Sequence, residues 1–211
     1  MQPFWQDSLT TIYLGKSEDI LPHLSCTEED FILTDPPYGL NKAWKRKWHG
    51  NNGETRLWGE IPDWDKIPMS NDMLALLQSI KCRMVIWGGN FYPLPPSRCW
   101  FVWDKLQSNR GADCELAWTN LDLPTKVFRM SRIDAYFNKA VFKKVHGAEK
   151  PVQLGEWCLN FNLPIRRTID PFMGTGNFLV AARRLKIPSI GIDISETYCE
   201  EAKRRCLSQF P

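Results

Sequence analysis

A chain of 211 residues with 43 % hydrophobic and 24 % charged positions can bury one substantial core, and it holds no run near the roughly 20 apolar residues that a membrane-spanning helix needs. No leader-like segment is read at its start, so a single domain over residues 1–211 in a cytoplasmic protein is expected. The net charge of +3 is unevenly spread: residues 1–40 carry one lysine against seven acids, whereas residues 41–150 carry 18 Lys and Arg against 11 acids, so the middle of the chain is expected to face something acidic.

In chain order, Thr10–Leu14 reads as a strand, Gly15 breaks it, and Ser17 stands where it would cap a helix carrying Ile20, Leu21 and Leu24. Phe31–Thr34 is the next strand and runs into Asp35-Pro36-Pro37-Tyr38. Residues 39–68 lack periodicity and read as a long exposed loop. Ser70 caps a helix with Met73, Leu74, Leu76, Leu77 and Ile80 on one face. Met84–Trp87, Trp100–Trp103, Glu115–Thr119 and Lys126–Met130 read as strands. Pro151 opens a helix whose Leu154, Trp157, Cys158 and Phe161 share a face. Thr168-Ile169 is a strand entering Asp170-Pro-Phe-Met-Gly-Thr-Gly176, Phe178–Leu185 is a helix, and Ile190–Ile194 is a strand. Thr197-x-x-Glu200 has the form of a capping box for the last helix. Alternating strands and helices predict an α/β domain with a mainly parallel sheet.

Three features carry chemistry. Gly174-Thr175-Gly176 follows a strand, as a turn does when backbone must approach a ligand, and Asp193 ends the next strand, where a carboxylate can hold ribose hydroxyls. Asp35-Pro-Pro-Tyr38 presents an acid and a ring from a stiff turn, although Asp and Pro also form ordinary turns. Lys42, Lys45, Arg46 and Lys47 interleave with Trp44 and Trp48, and Arg129 and Arg132 stand near Phe128, Tyr136 and Phe137. Cations for phosphates among rings for bases suit a nucleic-acid surface; a merely solvated basic face is the other reading. The seven cysteines form no C-x-x-C pair, so structural thiols are expected and no metal site is.

Asp35-Pro-Pro-Tyr38, then His146-x-x-Glu-Lys-Pro151, then Asp170-Pro-Phe-Met-Gly-Thr-Gly176 resembles the S-adenosylmethionine-dependent DNA amino-methyltransferases in their permuted β order, from about Tyr13 to Arg205. The resemblance implies a circularly permuted Rossmann-like fold with a seven-stranded, mainly parallel sheet, and methyl transfer to adenine N6 of double-stranded DNA, as in restriction-modification. Asp35, Pro36, Pro37 and Tyr38 would be catalytic. The cofactor S-adenosylmethionine would meet Asp170, Phe172, Gly174, Thr175 and Gly176, with Asp193 at its ribose and Lys150 beside its methionine end. Asp19 matches an acidic position near the cofactor; an ordinary first-turn helix acid is its other reading. Ser in place of Asp35 usually goes with cytosine N4 and Asn with RNA or protein glutamine, so Asp favours adenine, while cytosine N4, RNA adenine and a catalytically silent nucleic-acid-binding subunit remain alternatives.

The chain departs from the family in one respect. Only about 25 residues separate Asn120 from His146, too few for an inserted target-recognition domain. Recognition is therefore expected from loop 39–68, from segment 121–145, or from a second copy in a homodimer.

Overall fold

The computed structural model describes residues 1–39, 47–49, 55–57, 67–107, 112–138, 140–142, 149–161 and 164–209. The strands are β1 Trp5–Gln6, β2 Thr10–Leu14, β3 Asp30–Thr34, β4 Lys47–His49, β5 Thr55–Leu57, β6 Arg83–Trp87, β7 Trp100–Asp104, β8 Cys114–Thr119, β9 Lys126–Arg129, β10 Arg167–Asp170 and β11 Ser189–Asp193. The helices are α1 Ser17–Ile20, α2 Asn71–Ser79, α3 Val152–Leu159, α4 Asn177–Arg184 and α5 Glu196–Leu207.

The main sheet runs β1-β2-β11-β10-β3-β6-β8-β7-β9. Its five central strands, from β2 to β6 in that order, are mutually parallel. β8 is antiparallel to both β6 and β7, and β9 lies parallel to β7 at the edge. This arrangement gathers the carboxyl ends of β2, β11, β10, β3, β6, β7 and β9 and the amino end of β8 along one edge of the sheet. Parallel sheets carry their ligands there, because strands end and loops begin at the same place.

Side chains alternate across each strand, and the sheet is covered on both faces. From β3, Ile32 joins Met84, Ile86, Ile169, Ile190 and Ile192 under Ile20 of α1 and Met73 and Leu77 of α2. Phe31 and Leu33 join Val85, Trp87, Phe101 and Trp103 under Leu154 and Cys158 of α3 and Phe178 of α4. α5 closes the same side through Cys199, Ala202 and Cys206, which pack on Ile12 and Leu179. Each fully buried Leu, Ile or Phe contributes about 1.5–3 kcal/mol by leaving water. α3 and α4 approach closely because Gly155 has no Cβ, which would stand 2.7 Å from Ala181 Cβ.

Four expectations are corrected. The sheet has nine strands, where the family resemblance implies seven. The unforeseen Trp5–Gln6 is too short to show a period, and it pairs antiparallel with β2 at one edge. Residues 39–68, read as loop, contain the separate hairpin of β4 and β5, with Trp48 opposite Arg56; strand residues Trp and Thr flank a Gly50-Asn-Asn-Gly53 turn signal. Ser17 does not cap α1, whose N-cap is Lys16; its hydroxyl instead donates to the Pro171 carbonyl. The cap of α5 is Ser195, whose side chain accepts the Tyr198 N–H, rather than Thr197.

Candidate active site at the carboxyl edge of the sheet

The edge divides between β10 and β3. On the β10 side, Asp170 ends its strand and the chain turns sharply through Gly174, φ 51°, and Gly176, φ 81°. These are left-handed conformations that glycine adopts without strain. A Cβ at Gly176 would also stand 2.7 Å from Ala202 Cβ. Asp193, at the tip of β11, accepts the Gly174 N–H at 2.9 Å through Oδ2 and the Ser195 N–H at 2.8 Å through Oδ1. The Ile194 N–H also bears on this carboxylate, and a carboxylate has about four lone-pair sites, so acceptor capacity remains. Burial raises the Asp193 carboxyl above the usual range despite these bonds. Phe172 is half-buried beside the turn, and Asp19 is exposed on α1, just beyond the end of β2.

The seam itself is a hydrogen bond: Thr34 Oγ1, at the end of β3, donates to Asp170 Oδ1 at 2.7 Å, and the Phe172 N–H reaches the same oxygen at 3.1 Å. Full burial pushes the Asp170 carboxyl up to about 8, so it is largely protonated at neutral pH. A neutral acid at that point braces the turn without placing a second negative charge beside Asp35.

On the β3 side, Pro36 and Pro37 carry the chain out of the strand. The Pro37 carbonyl accepts the Met69 N–H at 3.0 Å and the Tyr92 hydroxyl. The turn is therefore fixed by its own stiffness and by two donors from other segments. Asp35 Oδ1 accepts the Tyr38 hydroxyl, and Oδ2 accepts Lys150 Nζ at 2.6 Å. Lys150 Nζ also donates to the Tyr38 oxygen at 3.2 Å and stands 3.0 Å from Glu115 Oε2. Glu115 Oε1 in turn meets Lys105 Nζ at 2.5 Å. The Tyr38 ring stacks on Phe91 at 5.0 Å and lies against Gly88, where a Cβ would stand 2.0 Å from the ring.

The charges in this cluster are unequal. Burial opposes the Lys150 ammonium, yet Asp35 and Glu115 together outweigh it and hold its pKa well above the ordinary value. Burial also opposes the Glu115 carboxylate, but Lys150 and Lys105 outweigh that and bring it down to about 2. For Asp35 burial prevails over Lys150, with Glu115 adding to it, so its carboxyl is more basic than usual.

Lys150 joins the two sides. Its backbone carbonyl accepts Asn177 Nδ2 at 2.8 Å, at the start of α4 after the glycine turn. Lys150, expected beside the methionine end of the cofactor, aims its ammonium at Asp35. Beneath it, the fully buried Arg205 of α5 donates to Thr175 Oγ1 at 2.9 Å and Asn177 Oδ1 at 2.7 Å, and pairs with Glu149 at 3.1 Å. Thr175, read as a cofactor contact, is buried and bonded to this arginine.

Glu115, Lys105, Gly88, Phe91 and Arg205 escaped the sequence reading. A charge at each inner end of the hairpin β7–β8 was the available signal for the first two; the others need the packed structure. Of the basic residues expected at DNA, Lys42, Lys45 and Arg46 lie outside the described residues, as does His146. Lys47 opens β4, Arg132 is half-buried, and Arg129, exposed at the end of β9, stands 3.4 Å from Asp104.

Comparison with known proteins places this geometry. PvuII DNA methyltransferase, described as cytosine-N4-specific, superposes with a TM-score of 0.60 at 16 % identity, covering 97 % of this chain and 88 % of that one. M1.HpyAVI in complex with SAM superposes with a TM-score of 0.57 at 20 % identity, covering 93 % of this chain and all of that one, 100 %. At these identities the likeness is one of fold. The type II methyltransferase M.HpaI of Haemophilus parainfluenzae is 35 % identical over 88 residues, 41 % of this chain, and the matched stretch spans 27 % of that relative. The DNA methylase family profile matches residues 95–204, more than half of the chain, and takes in Lys105, Glu115, Lys150, the glycine turn and Asp193. The chain therefore belongs to the DNA methylase family.

Proposed function

We propose that the protein transfers the methyl group of S-adenosylmethionine to N6 of an adenine flipped out of double-stranded DNA. The observation that carries this reading is the placement of Asp35 one strand away from the glycine turn, tied across the seam by Thr34 and Asp170 at 2.7 Å. An acceptor for an exocyclic amine and a turn open to a nucleotide thus share one edge. Their chain order, acid turn first, fits the permuted β arrangement.

The residues fit the cofactor. Gly174 leaves backbone partly exposed while Gly176 lets the turn pack against Ala202, Asp193 retains acceptor capacity for ribose hydroxyls, and Phe172 and Asp19 border the same end of the sheet. M1.HpyAVI, which shares this fold, has been crystallised as a complex with SAM. When bound, S-adenosylmethionine supplies a methyl group already activated as a sulfonium. The protein's task is to prepare the amine. Adenine N6 is a weak nucleophile because its lone pair is delocalised into the ring. Asp35 and the Pro36 carbonyl would accept its two N–H bonds and favour the pyramidal nitrogen that attacks. Because Tyr38 and Lys150 hold both oxygens of Asp35, the entering amine displaces one of them. The Tyr38 and Phe91 rings offer the flipped base an aromatic wall.

Cytosine N4 is the second reading, since PvuII methyltransferase is described as cytosine-N4-specific; the acid at position 35 favours adenine. Loop 39–68 and segment 121–145 would face the duplex, with Lys42, Lys45, Arg46, Lys47 and Arg132 near phosphates. Arg129 is already partly neutralised by Asp104. Loops of this kind read a short or relaxed site, about four base pairs or fewer per chain, and a homodimer would lengthen it. The test is to incubate the protein with labelled S-adenosylmethionine and separate pools of duplex DNA and RNA, then identify the methylated nucleoside. N6-methyladenine from DNA is expected. N4-methylcytosine would replace the first reading by the second, and no transfer to either pool would defeat both.

A further inference from the structure

The buried charges around Asp35 extend further than holding an amine requires. Lys105 leaves the end of β7, Glu115 opens β8, Lys150 precedes α3 and Asp35 follows β3. Four elements thus contribute to one line: Lys105 to Glu115 at 2.5 Å, Glu115 to Lys150 at 3.0 Å, and Lys150 to Asp35 at 2.6 Å. Cations and anions alternate in it. Lys105 and Lys150 are only 7 % and 6 % exposed at the side chain, so water does little to screen them.

We propose that Glu115 is a positioning residue for methyl transfer, holding the Lys150 ammonium in place and sharing its charge so that Asp35 remains free to act on the amine. This rests on the methyl-transfer reading of Asp35. Lysine has a long flexible stem, and one carboxylate leaves it several geometries; a second carboxylate on the same ammonium restricts it. During the reaction the amine nitrogen bonds to the methyl carbon, and the carbon–sulfur bond breaks with its electron pair remaining on sulfur. The nitrogen becomes cationic, and one of its protons passes to the Asp35 carboxylate and from there to solvent. An ammonium paired with Asp35 alone would resist that proton. Glu115 offsets the ammonium, and Lys105 keeps Glu115 ionised.

The groups facing this line among the described residues are Tyr38, Tyr136 and Arg132, with Asp170 behind Asp35 across the seam. Burial holds the Asp170 carboxyl up at about 8 and raises both tyrosines above the ordinary phenol value, so all three stay mainly protonated at the acidic pH where an acid limb is read.

Two variants move Asp35 in opposite directions. Glu115→Gln removes the negative charge, so the acid limb of the kcat profile should shift to lower pH by about one unit. Its kcat should fall on the order of 10- to 100-fold, with KM and Kd for S-adenosylmethionine within about twofold of wild type. Glu115→Asp should restore most of the rate. Lys105→Met leaves Glu115 uncompensated and should shift the acid limb upward. If the wild-type protein transfers no methyl group, the proposed function fails on its own, and isotope-labelled aspartate NMR of the three proteins then reads the Asp35 titration without activity. Opposite shifts, by either readout, support the inference. An acid limb or titration that stays put in both variants overturns it, as does cofactor affinity that falls in step with kcat in Glu115→Gln. Should Glu115→Gln fail to fold, Lys105→Met alone carries the result: an upward shift supports the inference and no shift overturns it.

Discussion

The two halves of the carboxyl edge are held in different ways. On the β10 and β11 side, the turn is braced by backbone donors on Asp193 and by the Thr34 hydroxyl on a largely neutral Asp170. On the β3 and β8 side, the same edge is braced by ions: Asp35, Lys150, Glu115 and Lys105. Under the proposed function, the difference follows from what each half must do. A cofactor site has to present shape and lone pairs, which fixed hydrogen-bond acceptors supply. A site that takes up positive charge from an amine needs a carboxylate whose basicity is set by its neighbours, and buried charges set it more strongly than dipoles do. Lys150 belongs to both halves, its carbonyl on Asn177 and its ammonium on Asp35.

Four substitutions probe that contrast. The greatest loss is expected at Asp35. Asp35→Ala should lower methyl transfer by about 10³-fold or more, since it removes an acceptor aimed at developing charge; single-turnover assays measure this. Next is the ionic support beneath Lys150. Arg205→Met removes the buried guanidinium that pairs with Glu149 at 3.1 Å and with Glu201 at 2.7 Å and should cost about 3–5 kcal/mol of stability, read from the shift of a urea unfolding midpoint.

A smaller change is expected at the ribose acid. Asp193→Ala should weaken S-adenosylmethionine binding by about 1.5–3 kcal/mol, and calorimetry checks it. The mildest is Asp170→Asn. The folded protein holds the Asp170 proton up to about 8, against 3.8 for an ordinary aspartate. The stability this proton gives is fully present below the ordinary value and is lost as pH rises through about 8. Asn keeps an acceptor for Thr34 and Phe172 but does not titrate, so unfolding midpoints of the variant should fall less on moving from acidic to alkaline buffer.

Much of this architecture was legible in the sequence because it rests on local pattern. The apolar run Phe31–Thr34, the strand read at Ile190–Ile194 and found at Ser189–Asp193, the Ser70 cap and the glycines at 174 and 176 are each short-range signals, and each appears within a residue of where expected. The misses have a common cause. Ser17 and Thr197 have the right type for caps, but Ser17 Oγ finds the Pro171 carbonyl 154 residues away, and Ser195 is better placed at the start of α5. Lys150 was found as part of a motif, yet its target was not, because the partner of a long side chain depends on which strands lie side by side. Glu115, itself paired with Lys105, reaches Lys150 only because β8 runs antiparallel to β6, which no local spacing reveals.

Under the proposed function, one edge of the sheet holds two separable sites, one for the cofactor braced by hydrogen bonds and an ionic one for the amine. Their separation is decided by calorimetric S-adenosylmethionine binding to Asp35→Ala, set beside that variant's single-turnover rate. Cofactor affinity should stay within about twofold of wild type while transfer is nearly abolished. An affinity loss matching the loss of rate would mean that Asp35 serves the cofactor, and the division of the edge into two sites would be wrong.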